Sequence, residues 1–370
     1  MWLNVPSSPV VFDERYYVDA ARLIAGLPAV DVYQGRSPGL DPNFEHPPLG
    51  KVLLALSVLF LGDGPIGWRV PSVTAGLAAI ALIYAIVRSA GGAQWIAVAA
   101  AAVFSLDNLV FVLGRSATLD TLMVTFVLLG ALFYWRGMPL LGGAACGLAA
   151  LVKLSGLFGL CALLVLELMR GLLIPRDRPL ASGARTCLVL IVGFSVVWFG
   201  LLFVLDTHVT LFRTPWDHLA AMLDHGFALS LRSVQAGAHS RPWEWLLNEG
   251  QMVYYQGDGM LIRGAMNPLT VAIALPAVAL AGWRAICDRD QLSLWILTWI
   301  FANYFTLIGL SAITERLMYI HYILPTIPAI AAAATLMMAH SRVPRELRIG
   351  FGVAYAASFL MNYPFISGGT

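Results

Sequence analysis

Charged side chains are scarce in this 370-residue chain, so chemistry is first sought among the few that stand beside or within apolar stretches. Asp13 and Glu14 sit together in Val-Val-Phe-Asp-Glu-Arg-Tyr-Tyr, residues 10–17. A carboxylate seated among apolar and aromatic neighbours loses hydration and holds its proton more tightly, which suits it to general-base work. The same pair also fits an ordinary loop or a helix cap. Further on, Phe44-Glu45-His46-Pro47-Pro48-Leu49-Gly50-Lys51 leads from a polar segment into an apolar one. His46 could orient a carboxylate or simply be interfacial. Lys51 either neutralises a phosphate or snorkels to the headgroups.

Arg69, Arg115, Asp120 and Lys153 are stronger signals, because each lies at or inside an apolar run. Charge in such a place is costly and either pairs helices together or marks a substrate path. Arg115 and Asp120 are five residues apart, too far for ideal pairing along one helix. Lys153 has no local partner and calls for a phosphate or a carboxylate from elsewhere. His239-Ser240-Arg241-Pro242-Trp243-Glu244-Trp245, with Tyr254-Tyr255 downstream, reads first as an interfacial anchor. Arg241 and Glu244 could also serve a ligand there. Glu315-Arg316, followed by Tyr319, His321 and Tyr322, offers another cation and further hydrogen-bonding groups.

The elements that must position these groups are helices in a bilayer. Hydrophobic residues make up 59% of the chain and charged ones 12%, about half the usual charged fraction of a soluble domain. The mean hydropathy is +0.77. Residues 70–87, 95–113, 119–135, 187–205, 269–283, 292–310 and 320–339 are long apolar runs, and about 20 such residues cross a bilayer as a helix. Lipid offers no partner to exposed backbone groups, and these runs are too long for barrel strands. The expected fold class is therefore all-α, a polytopic transmembrane helical bundle. One membrane domain fills residues 1–370: an external loop at 1–48, an N-terminal transmembrane half at 49–205, a second external loop at 206–267, and C-terminal transmembrane helices at 268–370.

Within that scheme, a short amphipathic helix is expected around residues 16–25, and residues 49–61 read as a short crossing. Residues 140–169 read as one net crossing broken near 153–156, or as two short segments. Arg170, Arg176, Arg178 and Arg185 form one cluster and Arg342, Arg345 and Arg348 another, and the positive-inside rule assigns both to the cytoplasm. Ten crossings then put the loops 1–48 and 206–267 together on the non-cytoplasmic face. Four scattered cysteines give no disulfide framework or metal spacing, and a net charge of +2 gives no reason to expect nucleic acid. No Walker loop, dinucleotide fingerprint, HExxH, nucleophile elbow or CxxC is present. Group transfer would thus need an already activated donor, and one arriving through the bilayer on a lipid phosphate suits intramembrane cations facing an external loop. Transport fits that layout too.

In order along the chain, the motifs resemble those of the protein O-mannosyltransferases, within the multi-spanning, lipid-dependent GT-C glycosyltransferase class. They are Val-Phe-Asp-Glu at 11–14, HPPLGK at 46–51, GRSATLD at 114–120, GLAALVKLSG at 147–156, His239–Trp245 with its SRPWEW pattern and Tyr254-Tyr255 downstream, MNPL at 266–269 and the HYILP segment within Tyr319–Pro325. The resemblance implies a GT-C-like bundle and inverting transfer of mannose from a polyprenyl- or dolichyl-phosphate carrier to Ser or Thr hydroxyls of proteins. It makes Asp13 the candidate base, with Glu14 orienting the acceptor. Arg69, Arg115, Lys153, Arg241 and Lys51 become candidates for the lipid phosphate. His46, Asp120 and Glu244 are positioning groups, and Trp243 and Tyr255 shape the loop. No nucleotide or ATP is implied. A divalent metal, used by some related transferases, has no ligand cluster to support it, and no metal site is expected. The expected surroundings are a prokaryotic plasma membrane and a non-cytoplasmic active site. Family members carry a transmembrane helix before the Asp-Glu motif and about eleven crossings, so one more helix is expected upstream of the ten. The alternatives are transfer of another sugar to a lipid or cell-wall glycan, and transport of a lipid-linked sugar.

Overall fold

The computed structural model describes residues 10–174, 180–229, 239–257, 260–363 and 365–367. Two members of the basic clusters, Arg176 and Arg178, lie outside the described residues. The first helix, α1 (Glu14–Ile24), is the expected amphipathic one: Tyr17, Val18, Ala21 and Leu23 face inward while Arg15 and Tyr16 face out. Asp19 on its inner side accepts the backbone N–H groups of Val30, Asp31 and Tyr33 at 2.8–3.2 Å, which folds the following loop against the helix.

The next helix, α2 (Leu49–Leu61), is not a crossing. Its start is tied by Lys51 to Asp41, Asn43 and the carbonyl of His46. Just beyond its other end, Asp63 bonds Arg22 of α1 at 3.0 Å. Both ends therefore return to the same polar layer, and α2 lies along α1. Its 13 residues would span only about 20 Å, short of a bilayer core.

Crossing begins at α3 (Pro65–Ser89), opened by a proline at its first position, and returns through α4 (Gln94–Ser105) and α5 (Asn108–Leu113). Asp107 joins that pair by accepting the N–H groups of Leu109 and Val110. Then come α6 (Leu119–Trp135), α7 (Pro139–Val152) and α8 (Leu157–Leu173). The run expected as one net crossing is thus two helices, and they run in opposite directions. Lys153, between them, pairs with Asp120 at the start of α6, whereas Arg170, late in α8, bonds Tyr134 at the end of α6. The reversal is tight: a Cβ on Gly156 would stand 2.4 Å from the Ala149 carbonyl carbon. Leaving α2 out of the count and taking α7 and α8 as two keeps the expected total of ten, so the sidedness expected for the later loops does not depend on this difference.

The long helix α9 (Leu180–Val209) packs against α7 at backbone distance. A Cβ on Gly143 would meet the Leu190 carbonyl oxygen at 1.9 Å, and one on Gly193 would meet that of Leu140 at 2.2 Å. Without a hydrophobic force between helices in lipid, such small residues permit the close contact that holds them together. Beyond α9, α10 (Pro215–Ala228) begins with Thr214 capping the N–H of Asp217. A one-turn helix, α11 (Pro242–Trp245), leads to β1 (Met252–Gly257) and β2 (Met260–Gly264). With β3 (Phe365–Ser367) these form a small antiparallel sheet in the order β1-β2-β3.

The C-terminal half continues through α12 (Pro268–Cys287), α13 (Gln291–Ile300), a π-helical turn at Phe301–Phe305, α14 (Thr306–Thr314), a 3-10 turn at Ile320–Thr326, α15 (Ile327–Met338) and α16 (Arg345–Met361). Asn267 caps α12 through the N–H of Leu269, and Asp290 caps α13 through that of Ser293. Among the described residues, six helical segments are long and apolar enough to cross a membrane on length and composition, and the most buried of them is Ile320–Met338.

Candidate active site

The two polar segments meet above the bundle. His218 of α10, stacked on Phe212, joins Asp206 at 2.7 Å and the carbonyl of Phe44 at 3.0 Å. His225 of the same helix meets Glu45 at 2.9 Å. These contacts fix the strand of chain that carries Glu45 and His46.

Asp13 stands at the N-cap of α1, yet its side chain makes no capping bond. Only its carbonyl oxygen serves the helix, accepting from Tyr16 and Tyr17. Its carboxylate makes no hydrogen bond or ion pair with the described residues. The preceding residue, Phe12, is held at φ 48°, in the left-handed region that a bulky side chain rarely adopts. Its ring is wedged edge-on among Tyr254 at 5.3 Å, Tyr319 at 5.8 Å and His321 at 5.8 Å. Backbone strain of this kind costs about 1–3 kcal/mol and persists where surrounding packing enforces it. Here that packing fixes the direction in which Asp13 leaves the helix. Burial, opposed by the Lys153 ammonium and reinforced by Asp120 and Glu45, pushes the Asp13 carboxyl up to about 7. The group is therefore poised to take up or release a proton near neutral pH.

A cavity of about 310 Å³ adjoins this position. Its polar wall is made by Glu45, His46, Asp120, Lys153, Tyr322 and Arg316, and the remainder is mainly apolar side chains of α8, α10 and α14, interrupted by Ser155, Asn303 and Thr306. Lys153 donates to Asp120 at 2.8 Å and lies 4.7 Å from the Tyr322 ring. Burial, with the Lys153 and Lys51 cations, holds the His46 imidazole well below its ordinary value, so the ring is neutral at pH 7. The Arg316 guanidinium has no hydrogen bond or ion pair to the described residues. It packs on Gly226 at the C-terminal end of α10, where an added Cβ would stand 2.6 Å from Nη1.

Several expected site residues are elsewhere. Glu14 is fully buried, and its carboxylate is taken up by the Arg69 fork at 2.7 and 2.8 Å and by the N–H groups of Val11 and Ala117 at 2.8 and 2.6 Å. Neither Glu14 nor Arg69 opens onto the cavity; the pair locks the Asp13 turn to α3 and to the loop before α6. Lys51 neither snorkels nor faces a phosphate site: its ammonium is enclosed by Asp41 at 2.6 Å and by Asn43 and His46. Arg115 stacks on Phe111, 3.7 Å from the ring centroid, and does not line the cavity. Arg241 is exposed at the N-cap of α11 beside Trp243, while Glu244 accepts the Arg241 N–H at 2.9 Å, so this trio shapes the turn. On β1 it is Tyr254, not Tyr255, that is fully inward and touches Phe12. Gly264 on β2 leaves room for that ring, since a Cβ there would lie 1.9 Å from it.

Arg316 and Tyr254 are thus the main additions to the expected set. Arg316 is visible in the sequence as a cation at the outer start of a crossing, but nothing there places it on the wall of the cavity that Lys153 also lines. The choice between the adjacent tyrosines depends on strand parity, which a register irregularity between Val253 and Tyr255 obscures. Among the described residues, no group of three or more His, Cys, Asp or Glu side chains could hold a metal ion.

Residues 45–199 match the family described as dolichyl-phosphate-mannose-protein mannosyltransferase. The polyprenol-phosphate-mannose–protein mannosyltransferase of Mycobacterium tuberculosis is 25% identical over 76% of this chain, which spans 66% of that relative's length. The protein of the same description from Mycolicibacterium smegmatis is 23% identical over 97% of this chain and 84% of its own. Among solved structures, the S. cerevisiae protein O-mannosyltransferase complex bound to the sugar donor superimposes with a TM-score of 0.72 at 12% identity, covering 96% of this chain and 85% of the other. ArnT from Cupriavidus metallidurans bound to undecaprenyl phosphate gives 0.56 at 19% identity, covering 98% and 68%. The helical bundle therefore has the GT-C glycosyltransferase fold, and the protein is integral to the membrane and multi-pass. Over residues 45–199 by family model, and over most of its length by the relatives found, the chain is thus similar to the polyprenyl- and dolichyl-phosphate-mannose–protein mannosyltransferases.

Proposed function

We propose that this protein transfers mannose from a polyprenyl- or dolichyl-phosphate carrier to Ser or Thr hydroxyls of proteins, with inversion, on the non-cytoplasmic face of the membrane. The observation that carries the reading is a carboxylate poised near neutrality beside a cavity that carries Lys153 and Arg316 on its polar wall and is mainly apolar elsewhere. Asp13 removes the proton of the acceptor hydroxyl as its oxygen attacks the sugar C1. The bond from C1 to the phosphate oxygen breaks, and its electron pair leaves on the carrier phosphate. Lys153 and Arg316 stabilise that growing charge, an effect greatest where fixed cations already stand in a water-poor site. Asp120 holds Lys153 in place, and neutral His46 adds no competing charge. The apolar lining receives the first isoprene units. The relatives' described activity supports both the donor and the acceptor class.

The test is reconstitution of purified protein with polyprenyl-phosphate-mannose and a Ser/Thr-rich peptide, reading mannosyl-peptide and its anomeric configuration. Inverted product on peptide supports the reading. Transfer only to a lipid or glycan would refute the protein acceptor, and movement of the intact donor across the bilayer without transfer would refute the enzyme.

A further inference from the structure

About 30 Å from its capped start, α12 ends on the face opposite Asp13, beside the end of α15. Between them lies a second, open cavity of about 630 Å³, lined by Leu280, Trp283, Arg284, Asp288, His340 and Arg342 among others. It shares no residue with the first cavity.

Two features of this cavity point to a ligand. Arg284 is under-satisfied: its Nε is buried with no hydrogen-bond partner, and its Nη2 makes only a long, partly exposed ion pair with Asp290 at 3.7 Å, beyond hydrogen-bond reach. Asp290 shares its charge with the cap of α13, where its other oxygen, Oδ2, accepts from Ser293. Such a guanidinium calls for an oxyanion, which its fork can bind through two N–H groups. Arg342 supplies a second, exposed cation on the facing loop, whose backbone is braced by Arg348 bonding the carbonyls of His340 and Val343. The other feature is the apolar flank. Leu275, Trp283 and Ile286 fall on one stripe of α12 and are 65–67% exposed, so this side of the helix faces acyl chains. A cationic hollow at the end of a lipid-facing stripe is the arrangement that suits a lipid headgroup.

We propose that this cavity binds a bilayer glycerophospholipid. Its phosphodiester lies between Arg284 and Arg342, its acyl chains run along Leu280 and Trp283, and Asp288 accepts a hydroxyl or ammonium donor from the headgroup. A basic loop with arginines at 342, 345 and 348 places the site in the cytoplasmic leaflet by the positive-inside rule.

The test is native mass spectrometry of delipidated, detergent-purified protein titrated with phosphatidylglycerol. The expected result is at least a tenfold weaker first binding step in R284A/R342A, with no change in R345A, whose side chain lies outside the cavity. If the double variant does not survive purification, R342A alone, at an exposed position, should weaken that step at least threefold while sugar transfer stays at the wild-type level. Equal lipid retention by wild type and R342A would overturn the proposal. So would displacement of the lipid by millimolar inorganic phosphate, which would mark a site for a free anion.

Discussion

Replacing Asp13 by Asn tests the candidate site most directly, because it keeps the side chain's size and removes only the titrating proton. With a carboxyl at about 7, the base is about 10% ionised at pH 6 and about 90% at pH 8. The wild-type kcat/KM for the acceptor should therefore rise about ninefold between those values, with its midpoint near pH 7. D13N should lose about 10²–10⁴-fold in rate, the range for a positioned general base, and the remaining activity should lack this limb. Folding supplies an independent readout. A carboxyl raised from 3.8 to about 7 stabilises the fold fully below pH 3.8, where both folded and unfolded forms are protonated. As pH rises toward 7 the unfolded chain ionises and the folded one does not, so that stability is lost, and above 7 the difference is constant. Three units correspond to about 4 kcal/mol as an upper bound, and the partial exposure of the Asp13 side chain reduces it. D13N should consequently melt at a higher temperature than wild type at pH 7.5, with the gap closing toward pH 4.5. The assay is transfer of radiolabelled mannose to peptide from pH 5.5 to 9, beside thermal unfolding in detergent. A flat wild-type profile across pH 6–8, or D13N retaining more than a tenth of the rate, would refute the assignment.

Three further outcomes follow from the geometry. Glu14→Gln leaves Arg69 buried without its carboxylate and should cost about 3–5 kcal/mol, read as a lowered melting temperature, whereas E14Q combined with R69M should recover part of the loss. Arg316→Ala should lower kcat/KM for the donor about 10–100-fold through loss of a charged contact to phosphate, while Arg241→Ala should change it less than about twofold; the reverse order in initial-rate measurements would reassign the phosphate. Gly143→Val must force α7 and α9 apart against a backbone carbonyl and should destabilise by more than about 3 kcal/mol, whereas Gly200→Ala, with nothing within 4 Å of its Cβ, should be neutral in the same thermal assay.

The sequence alone determined that this chain lives in a bilayer and which charges needed an explanation. Apolar runs of bilayer length leave no other home for the backbone, and that constraint is local enough to be read residue by residue. The motif order was sufficient to raise Asp13, Lys153, Asp120 and His46 together, and all of these except Asp13, which stands beside it, line the first cavity. What local pattern could not supply was the partner of each charge. Glu14 and Arg69 are 55 residues apart and Lys153 and Asp120 are 33 apart, so the pairing that buries one couple and leaves the other on a cavity wall appears only when the helices pack. Chain direction was equally out of reach at α2 and at Gly156. An apolar run of 13 residues has the same composition whether it lies along a surface or enters the bilayer, and a reversal depends on what the glycine packs against. Lys51 and Arg316 show the same division. Both are cations at the edge of an apolar segment, yet tertiary contacts enclose the first among Asp41, Asn43 and His46 and leave the second lining the same cavity as Lys153.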